Sequence, residues 1–453
     1  MYTLSPGFSY VINRATGKGY IVSGSGARST LNLDAMDLLT AEDAGWQEDA
    51  DYADFLAQAR ALQWLVPGPA ARAAQVRHID RQVHLKRIQY EINLLCNLEC
   101  QHCYCSSSPR ASAGRSTEFV LDLVRQAAEL GVLHFDLTGG EPLVRKDIFQ
   151  ILESIREHGM TTTLFTNCTL IKPETARRIR EAGVAAVQTS LDACTPELHD
   201  QIRGRGGAFQ RALQGIDALR AEGVPVSVTI TLNRLNVGQA ADIVRFMTAL
   251  NVPFYFDRVI PAGRAASQSG IALSNAEFYA VMRQLEKDGA VPKMRVCEGP
   301  VQISESKIEP SCGVGESYAF IKHDGRMALC PTMTEAESAE FAQADLGAMS
   351  LAEAWEQHPT FMRTRGMQCE NARVCPAGKT CRGGCRSNAY LLHGRLDSPD
   401  EMNCNLFKNA GDSYHDFLGE YARARGASAA PEPTSSNSAR PSRAAHRRLA
   451  VLQ

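Results

Sequence analysis

The sequence predicts an α/β protein in three parts: a small N-terminal α+β unit, a parallel sheet of six βα repeats, open or curled into a partial barrel, and a Cys-rich C-terminal region. Three observations carry this. Between Arg87 and about residue 290, six apolar runs alternate with amphipathic helical patterns, and serial βα units imply a parallel sheet. Ahead of them, short strand-like runs and two helical stretches end at Pro67-Gly68-Pro69, a segment that breaks regular structure. Beyond about Pro292 the rhythm stops, and cysteines become dense up to Cys404.

In the first part, residues 1–65, Phe8–Asn13 and Gly19–Ser23 read as strands around a turn at Thr16-Gly17. One helix starts near Leu33-Asp34 and runs through Leu38 and Leu39. A second spans about Tyr52–Leu65, with Phe55, Ala59, Leu62 and Leu65 on one face. The polar run over 66–86 reads as a linker. In residues 87–290 the expected strands are Ile88–Leu94, Leu133–Leu137, Thr161–Phe165, Ala186–Ser190, Val224–Leu232 and Phe254–Val259. Between them lie helical patterns over Thr117–Leu130, Lys146–Glu157, Pro173–Ala182, Phe209–Glu222 and Val237–Leu250. Sites in such sheets lie at the carboxyl ends of the strands. The third part, 291–425, closes with a helix expected from about Cys404 to Arg425. Residues 426–453, rich in Ala, Ser, Pro and Arg, read as a disordered basic tail in which Arg440, Arg443, Arg447 and Arg448 are solvated.

A chain of 453 residues exceeds one ordinary domain, so two or three are expected. A net charge of −2 argues against a dedicated nucleic-acid binder, which needs a basic excess. No window reaches the roughly 18 uninterrupted apolar residues of a membrane span. The start, MYTLSPGFSYVIN, lacks the basic and apolar regions of a secretory signal, so a cytoplasmic location is expected. In that reducing compartment fourteen cysteines point to metal or redox chemistry before disulfides.

Cys96, Cys100 and Cys103 stand within eight residues, directly after the first strand of the repeat region. Thiolates are the usual ligands of iron–sulfur clusters. Three ligands for four irons leave one iron open to bind and reduce a partner, whereas a fully ligated cluster mainly passes electrons. The competing reading is a structural zinc site, for which Cys105 or His102 could supply the fourth ligand.

C-x3-C-x2-C at the end of a first strand, with His102 in the place of an aromatic residue, resembles the radical S-adenosylmethionine (SAM) superfamily. Other stretches match in order. Gly139-Gly140-Glu141-Pro142 resembles the motif whose backbone meets the methionine amino group of SAM. Thr166-Asn167 resembles a T-N-G turn, with Cys168 where Gly is usual. Ser190-Leu191-Asp192, then Arg203-Gly204, resemble the element that contacts the SAM ribose and carboxylate. Arg258-x-x-Pro261-x-Gly263-Arg264 resembles the sixth-strand element near the adenine, and Tyr104, next to Cys103, joins this set of cofactor contacts. The residue chemistry agrees: a Gly pair lets backbone approach a ligand closely, and Arg offers a carboxylate two donors. The resemblance implies a [4Fe–4S] cluster that cleaves SAM to methionine and a 5′-deoxyadenosyl radical, which removes hydrogen from an unactivated C–H bond.

The run Cys312, Cys330, Cys369, Cys375, Cys381, Cys385 and Cys404 resembles the SPASM domain of radical SAM maturases, which holds two auxiliary iron–sulfur clusters. Cys369-x5-Cys375 departs from the usual C-x2-C. Cys297 supplies an eighth thiolate. The resemblance implies Cys297, Cys312, Cys330 and Cys385 on one cluster, with Cys369, Cys375, Cys381 and Cys404 on the other; a zinc-ribbon-like domain is the alternative. Cys105, Cys168 and Cys194 receive no role, because a lone Cys is more often a small buried hydrophobe.

The order of elements in residues 1–65 resembles a winged-helix-like peptide-recognition domain related to the pyrroloquinoline quinone peptide chaperone, in which a leader peptide adds to a sheet edge. The three parts together imply a peptide maturase that forms a thioether or carbon–carbon crosslink in a precursor peptide with a leader segment, served by an electron donor such as flavodoxin or ferredoxin. The alternative is a radical SAM enzyme that builds a tetrapyrrole or cofactor, or oxidises a residue of a protein.

Overall fold

The computed structural model describes residues 2–41, 45–68, 74–268, 270–289, 313–333, 341–373, 384–400 and 451–452. The chain divides into a larger unit (1–308, 313–365 and 451–453) and a smaller one (309–312 and 366–450). The Cys-rich region is therefore split at Arg365, with Cys330 in the larger unit and Cys369 and Cys385 in the smaller.

The N-terminal part is a sheet packed on both faces. Strand β1 (Tyr2–Leu4) stands outside this sheet, in which β2 (Phe8–Asn13), β3 (Lys18–Ser23) and β4 (Arg28–Asn32) run in antiparallel succession. The β2–β3 turn needs Gly17, which takes φ +67°. Helix α1 (Leu33–Leu39) is capped by Asn32, whose Oδ1 accepts from Ala35 N at 2.9 Å. It presses Met36 onto Gly19, where an added Cβ would lie 1.8 Å from Met36 Cγ. Helix α2 (Ala53–Ala61) stops short of the expected Leu65. Gln63 turns the chain at φ +57°, leaving Leu62 44% exposed, and Leu65 is instead buried in β5 (Leu65–Pro67), which pairs with β1. On the sheet's other face Val11, Tyr20, Val22 and Ile79 pack on Leu133.

The run expected to be a linker contains β6 (Gln75–Ile79), paired parallel to β2. Its polarity has a structural reason. Half-buried Arg77 donates to the carbonyls of Val132 at 2.9 Å and Gly159 at 3.1 Å, and Gln75 donates to that of Glu157 at 2.7 Å. These carbonyls lie at or just beyond the C-terminal ends of helices of the repeat region, where donors and cations are favoured. Arg77→Ala is expected to lower stability by about 1–3 kcal/mol, because buried carbonyls lose their donor. Urea unfolding checks this, and an unchanged midpoint would mean that β6 docks by its backbone alone.

The repeats follow in order: β7 (Arg87–Glu91), β8 (His134–Thr138), β9 (Thr161–Phe165), β10 (Ala186–Ser190), β11 (Val226–Leu232) and β12 (Phe254–Arg258), each parallel to its neighbour. Helices α3 (Thr117–Glu129), α4 (Ile148–Glu157) and α5 (Pro173–Glu181) match the sequence reading within two residues. Helix α6 (Pro196–Arg203), absent from that reading, precedes α7 (Ala208–Ala221) and α8 (Ala240–Leu250). It starts at Pro196 and ends at Gly204, φ +66°. Beyond β12 the sheet continues. Strand β13 (Tyr318–Ile321) adds parallel to the far side of β7, followed antiparallel by β14 (Arg326–Ala328) and β15 (Ala344–Asp345).

Alternation along β7 buries Ile88 and Tyr90 on one face and sends Arg87, Gln89 and Glu91 to the other. That second face is polar. Arg87 pairs with Asp136, Gln89 accepts from Tyr318 Oη at 2.6 Å, and Glu91 lies 2.9 Å from His323 Nδ1. Burial alone would raise the Asp136 carboxyl, but Arg87 and His134 outweigh it and hold it down at about 2.

Of the expected disordered tail, the described residues Val451–Leu452 form a strand, β16, antiparallel to β4. The helix expected over 404–425 lies outside the described residues. No helix among the described residues is long and apolar enough to cross a membrane.

Candidate metal centre

The first three cysteines lie on a loop held at many points. After β7, Cys96 N donates to Ser108 O at 3.0 Å, Gln101 N to Ile202 O at 2.9 Å and Glu99 N to Arg203 O at 3.3 Å. Arg264 clamps the loop from the β12 side, donating to Cys100 O at 2.7 Å and Ser107 O at 2.6 Å. Gly263 before it takes φ +55°, and an added Cβ would lie 2.3 Å from Tyr104 O. The motif expected near the adenine thus also fixes the cysteine loop. Arg258 itself stacks over Phe278, 5.7 Å from the ring centre.

Gly139 and Gly140, after β8, lie against the approach to Cys96. A Cβ on Gly139 would meet Asn93 O at 2.6 Å, and one on Gly140 would meet Leu95 O at 2.5 Å. The N–H groups of Gly140 and Glu141 donate to Asn93 O (2.8 Å) and Leu95 O (2.9 Å). The Glu141 side chain is fully buried and ties this turn to the next strand end. It accepts from Leu143 N at 3.0 Å, Thr166 Oγ1 at 2.8 Å and Asn167 N at 2.8 Å. Burial pushes its carboxyl up to about 7, against the pull of those donors.

Asn167, after β9, reaches the cysteine loop through Asn97 Oδ1 at 2.9 Å, with its Nδ2 4.0 Å from Cys96 Sγ. Thr169 closes the link, donating from N (2.9 Å) and Oγ1 (2.6 Å) to Asn167 Oδ1. Cys168, in the place where a Gly is usual, still adopts the left-handed conformation at φ +60°. For a residue with a Cβ that costs roughly 1–2 kcal/mol.

The ends of β10 and α6 supply a buried ion pair. Asp192 Oδ2 lies 2.7 Å from Arg203 Nη2 and 3.7 Å from His102 Nε2, while Arg203 Nη1 stands 3.7 Å from Cys100 Sγ. Asp192 Oδ1 accepts from Thr231 N at 3.0 Å. Burial would raise the Asp192 carboxyl, but Arg203 and the nearby imidazoles hold it below its ordinary value. Burial pulls His102 down to about 4, so it is neutral. Ser190 sits half-buried at the end of β10.

The three thiols are not equivalent. Burial pushes Cys96 up to about 12. Burial also raises Cys100, with Arg203 opposing it. Cys103 is drawn down to about 6, first by the Cys105 thiol 3.7 Å away and then by Ser107 N at 3.3 Å. Cys105, given no role from the sequence, therefore acts on a candidate ligand. Among the described residues no group of three or more His, Cys, Asp or Glu side chains is placed to hold a single metal ion. Meanwhile Arg203 Nε and His102 Nδ1, both buried beside the cysteine loop, lack a hydrogen-bond partner among the described residues. Buried polar atoms of this kind ask for a hydrogen-bond partner. Three thiols, a guanidinium and a close-approach Gly pair at neighbouring strand ends fit a cluster with a small polar co-ligand.

Of the C-terminal cysteines, Cys330 lies after β14, its sulfur 3.0 Å from Thr332 Oγ1. In the smaller unit Cys385 opens the helix Arg386–His393, its N–H donating to Asp400 Oδ2 at 2.7 Å, and Cys369 lies in the stretch whose Glu370 N donates to Asp397 O at 2.7 Å. Cys297, Cys312, Cys375, Cys381 and Cys404 lie outside the described residues. Asn97, Arg264 and Cys105 are the positions that sequence reasoning left without a role. Arg264 carried a signal as the last residue of the sixth-strand motif, and Cys105 as a possible fourth ligand of the zinc alternative; Asn97 carried none.

Residues 90–247 match the radical SAM superfamily. The AdoMet-dependent heme synthase of Nitratidesulfovibrio vulgaris is 26% identical over 339 residues, covering 68% of this chain and 89% of that protein. Mycofactocin maturase MftC of Mycobacterium ulcerans is 28% identical over 325 residues, covering 69% and 86%. Among solved structures, Streptococcus suis SuiB bound to its precursor peptide SuiA is similar in fold, with a TM-score of 0.64 at 15% identity over 88% of this chain and 99% of that one.

Proposed function

We propose that this chain, an enzyme built around a radical SAM domain, is a maturase that forms a thioether or carbon–carbon crosslink in a ribosomally made precursor peptide. The observation that carries the reading is the convergence of Cys96, Cys100 and Cys103 with Gly139-Gly140, Asn167 and the Asp192–Arg203 pair at successive strand ends. When bound, the cluster supplies the electron that cleaves SAM and so opens hydrogen-atom removal from an unactivated C–H bond. The chain's own residues position that event. Arg203 offers its unpartnered Nε to a carboxylate. The N–H groups of Gly140 and Glu141 are already committed to Asn93 and Leu95, so an incoming ammonium meets carbonyls of this turn. Ser190, Thr166, Tyr104 and Arg258 complete the proposed SAM contacts. Two auxiliary clusters on the cysteines from Cys297 to Cys404 would accept the second electron or hold a substrate thiolate, with flavodoxin or ferredoxin as donor in the cytoplasm.

The peptide reading is favoured by the mycofactocin maturase and PqqA peptide cyclase relatives and by the N-terminal sheet, whose β4 already accepts an extended segment, β16, along its outer side. The heme synthase relatives support a second reading, a tetrapyrrole substrate. Anaerobic reconstitution is expected to load about twelve irons. Turnover with SAM, dithionite and a short peptide encoded beside the gene is expected to give a product lighter by two hydrogens. Conversion of a tetrapyrrole, with the peptide left unchanged, would sink the maturase reading.

A further inference from the structure

We propose that the outer edge of β4 is a strand-accepting surface that the chain occupies with its own segment around Val451–Leu452, so that an incoming extended peptide must displace it. The identity of that peptide rests on the maturase reading; the self-occupied edge does not.

In the N-terminal sheet, β2 is covered by β6, which Arg77 and Gln75 tie to the repeat region, while β4 lies at the other side. An uncovered strand presents a row of N–H and C=O groups that templates a further strand unless proline, lysine or a bulge blunts it. The sequence of β4, Arg-Ser-Thr-Leu-Asn, has no proline, and its one charged residue, Arg28, stands at its first position, clear of Thr30 and Leu31. An occupant is present: Val451 lies opposite Leu31 and Leu452 opposite Thr30, antiparallel, continuing the β2–β3–β4 succession. The pairing has a sequence basis. After a long stretch rich in Ala, Ser, Pro and Arg, the run Leu449-Ala450-Val451-Leu452 is apolar and ends in residues compatible with a strand.

The geometry also sets the strength. A pairing of two residues exchanges few hydrogen bonds, so a longer strand that continues along all five residues of β4 can outcompete it. An occupant from the same chain lowers the apparent affinity of any competitor by the fraction of edges left free. The competition does not weaken on dilution, which separates it from an occupant donated by a second copy.

The test uses the full chain, its V451P/L452P double variant, and a fluorescein-labelled peptide with the sequence of residues 446–453 as probe. Proline at both positions removes the N–H donors that a ladder needs. The labelled peptide is expected to bind the double variant about 3–10-fold more tightly than the unaltered chain, and amides of residues 28–32 are expected to exchange faster in the variant alone. Equal affinities, or unchanged exchange over 28–32, would overturn the proposal. Protection of 28–32 that fades on dilution would also overturn it, because the donor strand would then be a second copy. Iron content and circular dichroism of the variant verify that it folds. If the variant behaves as expected and no precursor-type peptide competes with the probe, the occupied edge stands and the maturase reading fails.

Discussion

Replacing Cys96, Cys100 and Cys103 together with Ala is expected to abolish formation of 5′-deoxyadenosine from SAM while the C-terminal cysteines still assemble iron. The loop that carries the three thiols is fixed from several sides: by Ser108 and Ser112 beside it, by Ile202 and Arg203 of α6, by Asn167 through Asn97, and by Arg264. The loop therefore keeps its course when the thiols are removed, and the variant isolates ligation from folding. Bound iron should fall from about twelve to about eight per chain if the auxiliary sites fill as proposed. Anaerobic incubation with SAM and dithionite, read by mass spectrometry, checks the first part, and an iron assay the second. Deoxyadenosine formed by the triple variant would remove the central assignment. Cys105→Ser is the matched control. Its hydroxyl can still donate toward Cys103, so it should retain cleavage, although Cys105 lies as near as any thiol to a candidate ligand.

The sequence was most legible where periodicity and chemistry coincide. Thr161–Phe165 and Ala186–Ser190 are strands with the bounds their apolar runs imply, and the motifs after β7, β8, β9 and β10 fall at carboxyl ends as a parallel sheet requires. Illegible elements were those whose side chains answer to distant partners. In β6, Gln75 and Arg77 look like linker residues because their targets, carbonyls of Glu157, Val132 and Gly159, are more than fifty positions away. Helix α6 is short, and its buried face includes His199 and Arg203, so polar residues stand where an apolar stripe would be sought. Strand β13 is a four-residue run whose partner is β7, and nothing local announces that pairing. The role of Asn97 is of the same kind, since a lone Asn between two cysteines says nothing of an Asn seventy residues on.

Asp192→Ala is expected to destabilise the chain by about 3–5 kcal/mol, because it leaves Arg203 buried as an uncompensated cation. Asp192 is wholly buried and Arg203 nearly so, and a guanidinium keeps its proton at any working pH even without its carboxylate partner. The variant cannot relieve itself by neutralising the arginine. Arg203→Met removes the cation with its volume largely kept, and the Asp192→Ala/Arg203→Met double variant is expected to recover part of the loss, a coupling of about 0.5–3 kcal/mol for side chains in contact. Urea unfolding of the four proteins measures it, and strictly additive losses would mean that the pair is not energetically linked. The pH dependence has a definite sign. The folded-state value of Asp192 is depressed, so its contribution is present above the ordinary carboxylate value of about 3.9 and is lost as pH falls through the lower folded value. Asp192→Asn should lack that acid limb. The same substitution also bears on the site. Without the carboxylate's charge, the β10 side holds Arg203 Nη1 at 3.7 Å from Cys100 Sγ, and aims its Nε, less firmly. SAM affinity is therefore expected to weaken in Asp192→Asn even where the fold survives. Equilibrium dialysis of SAM against the reconstituted variant decides between that positioning role and a purely structural one, for which affinity would not change.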